Sequence, residues 1–210
     1  MNEMPKRPRK TATVVLAAGQ STRMGSANKL LKEIEPGVPV IRRTVERALE
    51  NRLEPLYVVT GHEAEKVRSA LFGLDCRFVH NPRFADGLSG SIRAGFREAV
   101  ADGASGILVV LGDMPFLPAK AIEAVLSIAA ADPANVVQAV HGGKPAHPVW
   151  LPARIAGLVE SLVGDRGVRS LIEELGGEMT AVEVAGAAIL DIDTPEDFIA
   201  ARQRAAERND

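Results

Sequence analysis

At 210 residues and 46% hydrophobic content, the chain is long enough for one domain of generous size with a filled core. Its 25 basic and 27 acidic residues leave a net charge of −2, so no global field recruits nucleic acid or an anionic membrane surface. A lone cysteine, Cys76, excludes an internal disulfide framework and any multi-cysteine metal site, which suits a reducing, cytoplasmic setting.

Residues 1–11 carry Lys6, Arg7, Arg9 and Lys10 among prolines with no apolar stretch behind them, and are expected to be a disordered basic leader. No apolar run approaches the roughly 20 residues that cross a bilayer. Over residues 12–202, apolar β-rich runs alternate with helical segments. This predicts a single Rossmann-like α/β domain, its central sheet mostly parallel and covered by helices on both faces. The expected strands are Thr13–Ala17, Leu56–Thr60, Arg77–His80, Gly106–Leu111, Val136–Val140 and Ala187–Asp191. Between them, Ile41, Val45, Ala48 and Leu49 share one helical face, as do Ile122, Val125, Leu126 and Ala129. Thr194 is placed to cap a last helix, with Pro195 at its first position and Glu196 and Asp197 in its first turn. Residues 203–210 read as a charged tail.

The chemistry concentrates where strands end. Thr13-Val14-Val15 leads into Leu16-Ala17-Ala18-Gly19-Gln20-Ser21-Thr22-Arg23-Met24-Gly25, with Lys29 shortly after. Small residues let backbone N–H groups approach phosphate oxygens, and Arg23 and Lys29 supply the charge that a polyphosphate needs. The spacing is not that of a Walker A loop, where Lys directly follows the second Gly, and it is not GxGxxG. Val109-Val110-Leu111 runs into Gly112-Asp113-Met114-Pro115, so Asp113 closes a fully apolar strand. A buried carboxylate there demands a partner, and a divalent cation is a natural one. In Asp191-Ile192-Asp193-Thr194-Pro195, strand alternation puts Asp191 and Asp193 on one side, so either can face such a metal.

The run Leu16-Ala-Ala-Gly-x-Ser-x-Arg-Met-Gly-x-x-x-Lys29 resembles the signature loop of the nucleotidyltransferases of molybdenum-cofactor maturation, and is most similar to the molybdenum cofactor cytidylyltransferases. The resemblance implies a nucleotidyltransferase domain whose nucleotide is held by Leu16, Ala17, Ala18, Gly19, Ser21, Arg23, Gly25 and Lys29. It implies that Asp113 binds Mg²⁺, with Mn²⁺ the alternative ion, and it favours Asp193 over Asp191 as the second ligand. Asn81-Pro82 and Gly87-Leu88-Ser89-Gly90-Ser91 resemble the segment that holds base and ribose, which names Asn81, Ser89, Gly90 and Ser91. Gly142-Gly143-Lys144-Pro145-Ala146-His147-Pro148-Val149 is similar to the loop that meets the second substrate, placing His147 there. Gly164-Asp165-Arg166-Gly167-Val168-Arg169 matches a further motif, and Arg166 and Arg169 suit the acceptor's phosphate.

The implied reaction transfers CMP from CTP to the terminal phosphate of a molybdopterin-type acceptor, with Arg23, Lys29 and Asp113 catalytic and pyrophosphate released. A molybdoenzyme that receives the product is an implied partner. Alternatives are a guanylyltransferase of the same pathway, another small-molecule phosphate nucleotidyltransferase and, in a different class, a non-catalytic pterin carrier. Ala18 bears on the base, because guanylyl relatives typically read Leu-Ala-Gly-Gly. A methyl group there crowds a purine amino group, a discrimination of about 1–3 kcal/mol.

Overall fold

The computed structural model describes residues 8, 10–20, 28–53, 55–176, 179–184 and 191–207. In chain order these form β1 (Thr11–Ala17), a 3₁₀ turn (Lys29–Leu31), β2 (Glu33–Glu35), β3 (Val38–Pro39), α1 (Val40–Glu50), β4 (Leu56–Thr60), α2 (Ala64–Ala70) and β5 (Arg77–His80). A 3₁₀ turn (Phe84–Asp86), α3 (Leu88–Ala101), β6 (Gly106–Leu111), α4 (Ala119–Ala131), β7 (Val136–His141) and β8 (Lys144–Pro152) follow. The chain continues through α5 (Ala156–Ser161), α6 (Val168–Glu174), β9 (Met179–Glu183) and α7 (Pro195–Glu207).

Seven strands make one sheet in the order β5-β4-β1-β6-β8-β7-β9, and β2 pairs with β3 in a separate antiparallel ribbon. The pairs β5·β4, β4·β1, β1·β6 and β7·β9 are parallel, while β8 runs antiparallel to both β6 and β7. The expected mostly parallel sheet is therefore present, reversed at one strand. Along β1, side chains alternate between two cores. Val15 and Ala17 pack with Ile41 and Val45 of α1 and Val125 of α4. Val14 and Leu16 pack on the other face with Ile92 and Phe96 of α3 and Val159 of α5. Among the described residues no helix is long and apolar enough to cross a membrane.

Two expectations change. Gly142–Val149, expected as a loop, is a hairpin: Gly142 and Gly143 (φ +57° and +74°) make the two-residue turn and Lys144 opens β8. Three prolines, Pro145, Pro148 and Pro152, disguised this strand. Pro145 and Pro148 lie beyond Val149, where pairing with β6 ends, and the β7 pairing there is irregular. The strand expected at Ala187–Asp191 falls largely outside the described residues, and Asp191 itself lies outside any strand. The strand after α6 is β9 instead, a half-exposed run with no fully buried residue and no strict alternation of apolar and polar positions.

Cys76 sits half-buried just before β5, where burial and then Asp75 push its thiol up to about 11. Of the expected leader, residues 1–7 and 9 lie outside the described residues while Thr11 is buried and opens β1, and of the expected tail 208–210 lie outside them. Residues 203–207 continue α7, with Ala205 buried and Arg204 5.0 Å from the Phe116 ring centre.

The approach of α3 to the sheet depends on Gly95, where an added Cβ would lie 2.5 Å from Val14 Cγ1 and 2.8 Å from Val59 Cγ2. Both valines are fixed in central strands, so the contact cannot relax cheaply. Gly95→Val is expected to cost about 2–3 kcal/mol through overpacking. A urea midpoint equal to that of the wild type would contradict this tight contact.

Candidate functional site

The register sets the site. Leu16 pairs with Leu111 of β6 and Ala17 with Thr60 of β4, so the carboxyl ends of three parallel strands finish level. From β1 the sheet is extended by β4 and β5 on one side and by β6 on the other, and crevices at such a reversal are where open α/β sheets bind ligands. A cavity of about 460 Å³ opens there, lined by Leu16, Ala18, Gly19, Gln20, Lys29, Phe84, Leu88, Ser91, Asp113, Asp165 and Asp193 among others.

Asp113 enters this cavity because Gly112 lets β6 turn tightly against β1. Gly112 N donates to Leu16 O at 2.9 Å, and a Cβ at residue 112 would lie 2.9 Å from that same oxygen. Thr44 Oγ1 donates to Gly112 O at 2.9 Å, and Met114 beyond is 1% exposed, so the turn is tied on both sides. Ile192 N donates to Asp113 O at 3.2 Å, which brings the second acidic segment alongside. That segment is held by the predicted cap of α7. Asp197 Oδ2 accepts from Asp193 N (3.1 Å) and Thr194 N (2.8 Å), and Thr194 Oγ1 accepts from Asp197 N (3.2 Å).

Lys29 arrives on the 3₁₀ turn, which Asn28 caps by accepting from Leu30 N at 3.1 Å. Its Nζ lies 2.5 Å from Asp113 Oδ2 and 2.9 Å from Asp193 Oδ1. Oxygens of Asp113, Asp191 and Asp193 all lie within 4.8 Å of one another. The structure thus gathers both alternatives for the second carboxylate around Asp113. Burial pushes the Asp113 carboxyl above its ordinary range although Lys29 pulls it down, and Asp191 adds to the rise. Burial also works against the Lys29 charge, but Asp113 and then Asp193 outweigh it and raise its pKa.

Among the described residues, three carboxylates gather around the Lys29 ammonium. Asp113 Oδ1 is buried with no hydrogen-bond partner among the described residues. An oxygen-only donor set with an unsatisfied buried oxygen fits a hard divalent cation.

Other expected residues fall in three groups. Leu16, Ala18 and Gly19 line the cavity, Ala17 is buried at the end of β1, and Ser21, Arg23 and Gly25 lie outside the described residues. Of the base-segment residues, Ser91 lines the cavity. Asn81 supports it from behind, donating from Nδ2 to Ser91 Oγ at 3.0 Å, while a Cβ on Gly90 would lie 3.1 Å from that same Nδ2. Ser89 is buried, and its N–H donates to Gly164 O at 3.1 Å.

His147 lies within β8 rather than on a loop, its Nδ1 3.3 Å from Val109 O. Burial lowers its pKa, against Val109 O and then Asp191, which raise it. Arg166 pairs with Glu174, and Arg169 with Glu173 at 3.1 Å, both on the surface.

Sequence reasoning passed over Phe84 and Asp165. Phe84 packs over Gly61, where an added Cβ would lie 2.5 Å from Phe84 Cβ and 2.9 Å from Ala18 Cβ. An aromatic between Asn81-Pro82 and Gly87 was the available signal for the first, and the acid within Gly164-Asp165-Arg166-Gly167 for the second.

Comparison with known proteins gives a consistent set. Residues 13–179 match the model of the MobA-like NTP transferase domain. The chain is 27% identical over 196 residues to a molybdenum cofactor cytidylyltransferase of Escherichia coli, covering 92% of this chain and 96% of that one. It is 28% identical over 198 residues to a probable molybdenum cofactor guanylyltransferase of Natronomonas pharaonis, covering 91% and 96%. Among solved structures, a Mycobacterium tuberculosis protein in complex with manganese superposes with a TM-score of 0.72 at 26% identity, covering 92% of this chain and 98% of that one.

Proposed function

Because this chain belongs to the MobA-like NTP transferase family, and so is a nucleotidyltransferase, we propose that it transfers CMP from CTP to the terminal phosphate of molybdenum-loaded molybdopterin, forming the cytosine dinucleotide. The observation that carries this reading is the convergence of Lys29, Asp113, Asp191 and Asp193 at the carboxyl ends of β1 and β6. In the reaction, an oxygen of the acceptor phosphate attacks the α-phosphorus of CTP, and the bond from that phosphorus to the bridging oxygen breaks as pyrophosphate leaves. The attacking oxygen is already anionic, so no general base is assigned.

Alignment and charge neutralisation are the protein's work in such a transfer. The loop after β1 cradles the triphosphate, with Ala18 and Gly19 at its near end and Ser21, Arg23 and Gly25 further along. Arg23 and Lys29 offset charge on the leaving pyrophosphate. Asp113 and Asp193, with Asp191 beside them, would hold Mg²⁺ or Mn²⁺, which supplies Lewis-acid polarisation of the α-phosphate. Ser91 faces the base and ribose, positioned by Asn81. Arg166 and Arg169 would exchange their glutamate partners for the acceptor's phosphate, whose oxygens match the guanidinium fork. His147, on β8, belongs with the residues that meet the acceptor. Label carried on the α-phosphate of CTP should appear in a pterin dinucleotide; label released as free CMP would contradict the transfer.

Base choice rests on Ala18, which is buried, lines the cavity and receives a 3.2 Å hydrogen bond at its carbonyl from His62 N. Its methyl group narrows the site against a purine. Ala18→Gly is expected to lower the ratio of kcat/KM for CTP over GTP about tenfold, the scale of one methyl group in a binding site. An unchanged ratio would move base selection to other residues.

A further inference from the structure

The loop between α5 and α6 carries a charge that the transfer chemistry leaves unused. Asp165 lines the cavity, yet its carboxylate makes no hydrogen bond or ion pair with any described residue. The neighbouring Arg166 is engaged by Glu174. The acids that converge within 4.8 Å are Asp113, Asp191 and Asp193, so Asp165 is a separate negative charge on the wall.

Its placement is built into the fold. Gly87 has φ +112°, and a Cβ there would lie 2.3 Å from the carbonyl carbon and oxygen of Gly164 and 2.6 Å from Asp165 N. Ser89 N donates to Gly164 O at 3.1 Å, and Arg93 Nη1 donates to Leu162 O at 2.6 Å. These contacts hold the loop against the first turns of α3, beside Leu88, which is 40% exposed and lines the same cavity.

Asp165 is exposed at the mouth of the cavity on this anchored backbone, and a carboxylate there repels phosphate, so its useful partners are N–H and NH₂ groups. Its two oxygens match an edge that presents two adjacent donors, as they match a guanidinium. Among the reactants of the proposed transfer, the aminopyrimidinone ring of a pterin has such an edge, formed by the ring N3–H and the amino group on C2. Cytosine offers one amino group flanked by an acceptor nitrogen, which a second carboxylate oxygen would oppose. We infer that Asp165 is a specificity-determining residue that accepts both hydrogen bonds from this edge of the acceptor's pterin, while Leu88 supplies apolar surface beside the ring. The inference rests on the reaction proposed above.

The test compares pterin with lumazine, which carries an oxygen at C2 in place of the amino group, by fluorescence titration of the full chain and of Asp165→Asn. A site that pairs both donors rejects the analogue that lacks one. The wild type should bind pterin at least about tenfold more tightly than lumazine, and Asp165→Asn should lose that preference with an unchanged melting temperature. In turnover, the variant should raise KM for the acceptor about tenfold and leave KM for CTP within about twofold. Failure of the wild type to bind pterin, a preference that survives in Asp165→Asn, or a KM change confined to CTP would overturn the inference. The two readings separate cleanly. Pterin preference lost in the variant, without CMP transfer by the wild type, would sustain the role of Asp165 and sink the reaction. Transfer without pterin preference would do the reverse.

Discussion

Asp113→Asn is expected to lower kcat/KM for nucleotidyl transfer about 10³-fold, equivalent to about 4 kcal/mol of transition-state stabilisation, while the protein remains folded. Asp113 is 7% exposed at the end of an apolar strand, holds Lys29 at 2.5 Å and keeps a buried oxygen without a hydrogen-bond partner among the described residues. The amide keeps the shape but loses the charge on which cation binding depends. Two effects on stability oppose each other. Removing one member of a buried ion pair costs about 3–5 kcal/mol when the other charge is stranded. Lys29 is not stranded, because Asp193 stays 2.9 Å away, and burial already disfavours the Asp113 charge. The net change should therefore be small, about 1 kcal/mol, a typical value for a single substitution. Steady-state kinetics beside thermal melts check both halves, and full activity in a folded variant would remove Asp113 from the site.

Lys29→Ala is the second large effect. The ammonium faces two carboxylates in the structure described, and in the transfer it offsets charge on the leaving pyrophosphate. Its loss should raise KM for CTP about tenfold and lower kcat about 100-fold, since charge that develops in the transition state is felt beyond ground-state binding. Lys29→Arg should recover part of the affinity but less of the rate, because the planar guanidinium cannot take the compact position between Asp113 and Asp193. A change in KM alone would make Lys29 a binding residue. Unchanged kcat and KM would exclude it from the site.

The parts of the fold that could be read from sequence are those whose signal is local. Leu56–Thr60, Arg77–His80 and Gly106–Leu111 fold with the expected bounds, because each is an unbroken β-prone run flanked by turn residues. Thr194 and Pro195 announced the start of α7 through side chains that act within four residues, and the hydrogen bonds of Asp197 complete that cap. β8 stayed hidden because three prolines weigh against a strand, whereas the real constraint is which of its N–H positions face a partner. β9 stayed hidden because an edge strand beside β7 buries none of its residues fully, so its five residues show no strict alternation.

At the site, the separate candidacies of Lys29, Asp113, Asp191 and Asp193 were visible as strand-end residues. Their meeting was not, since Lys29 and Asp193 stand 164 positions apart and only the sheet register brings them together. Asp165 was visible only as an acid within Gly164-Asp165-Arg166-Gly167, and its place on the cavity wall was hidden for a related reason. Its significance comes from Gly87, whose positive φ admits the loop that carries it, and no spacing in the chain records that contact.

The most direct measurement is pyrophosphate release from CTP, GTP, ATP and UTP with Mg²⁺, each with and without molybdenum-loaded molybdopterin. Release should require both CTP and the pterin. A preference for GTP would contradict the assignment of the base, and silence with all four nucleotides would contradict the proposed transfer itself.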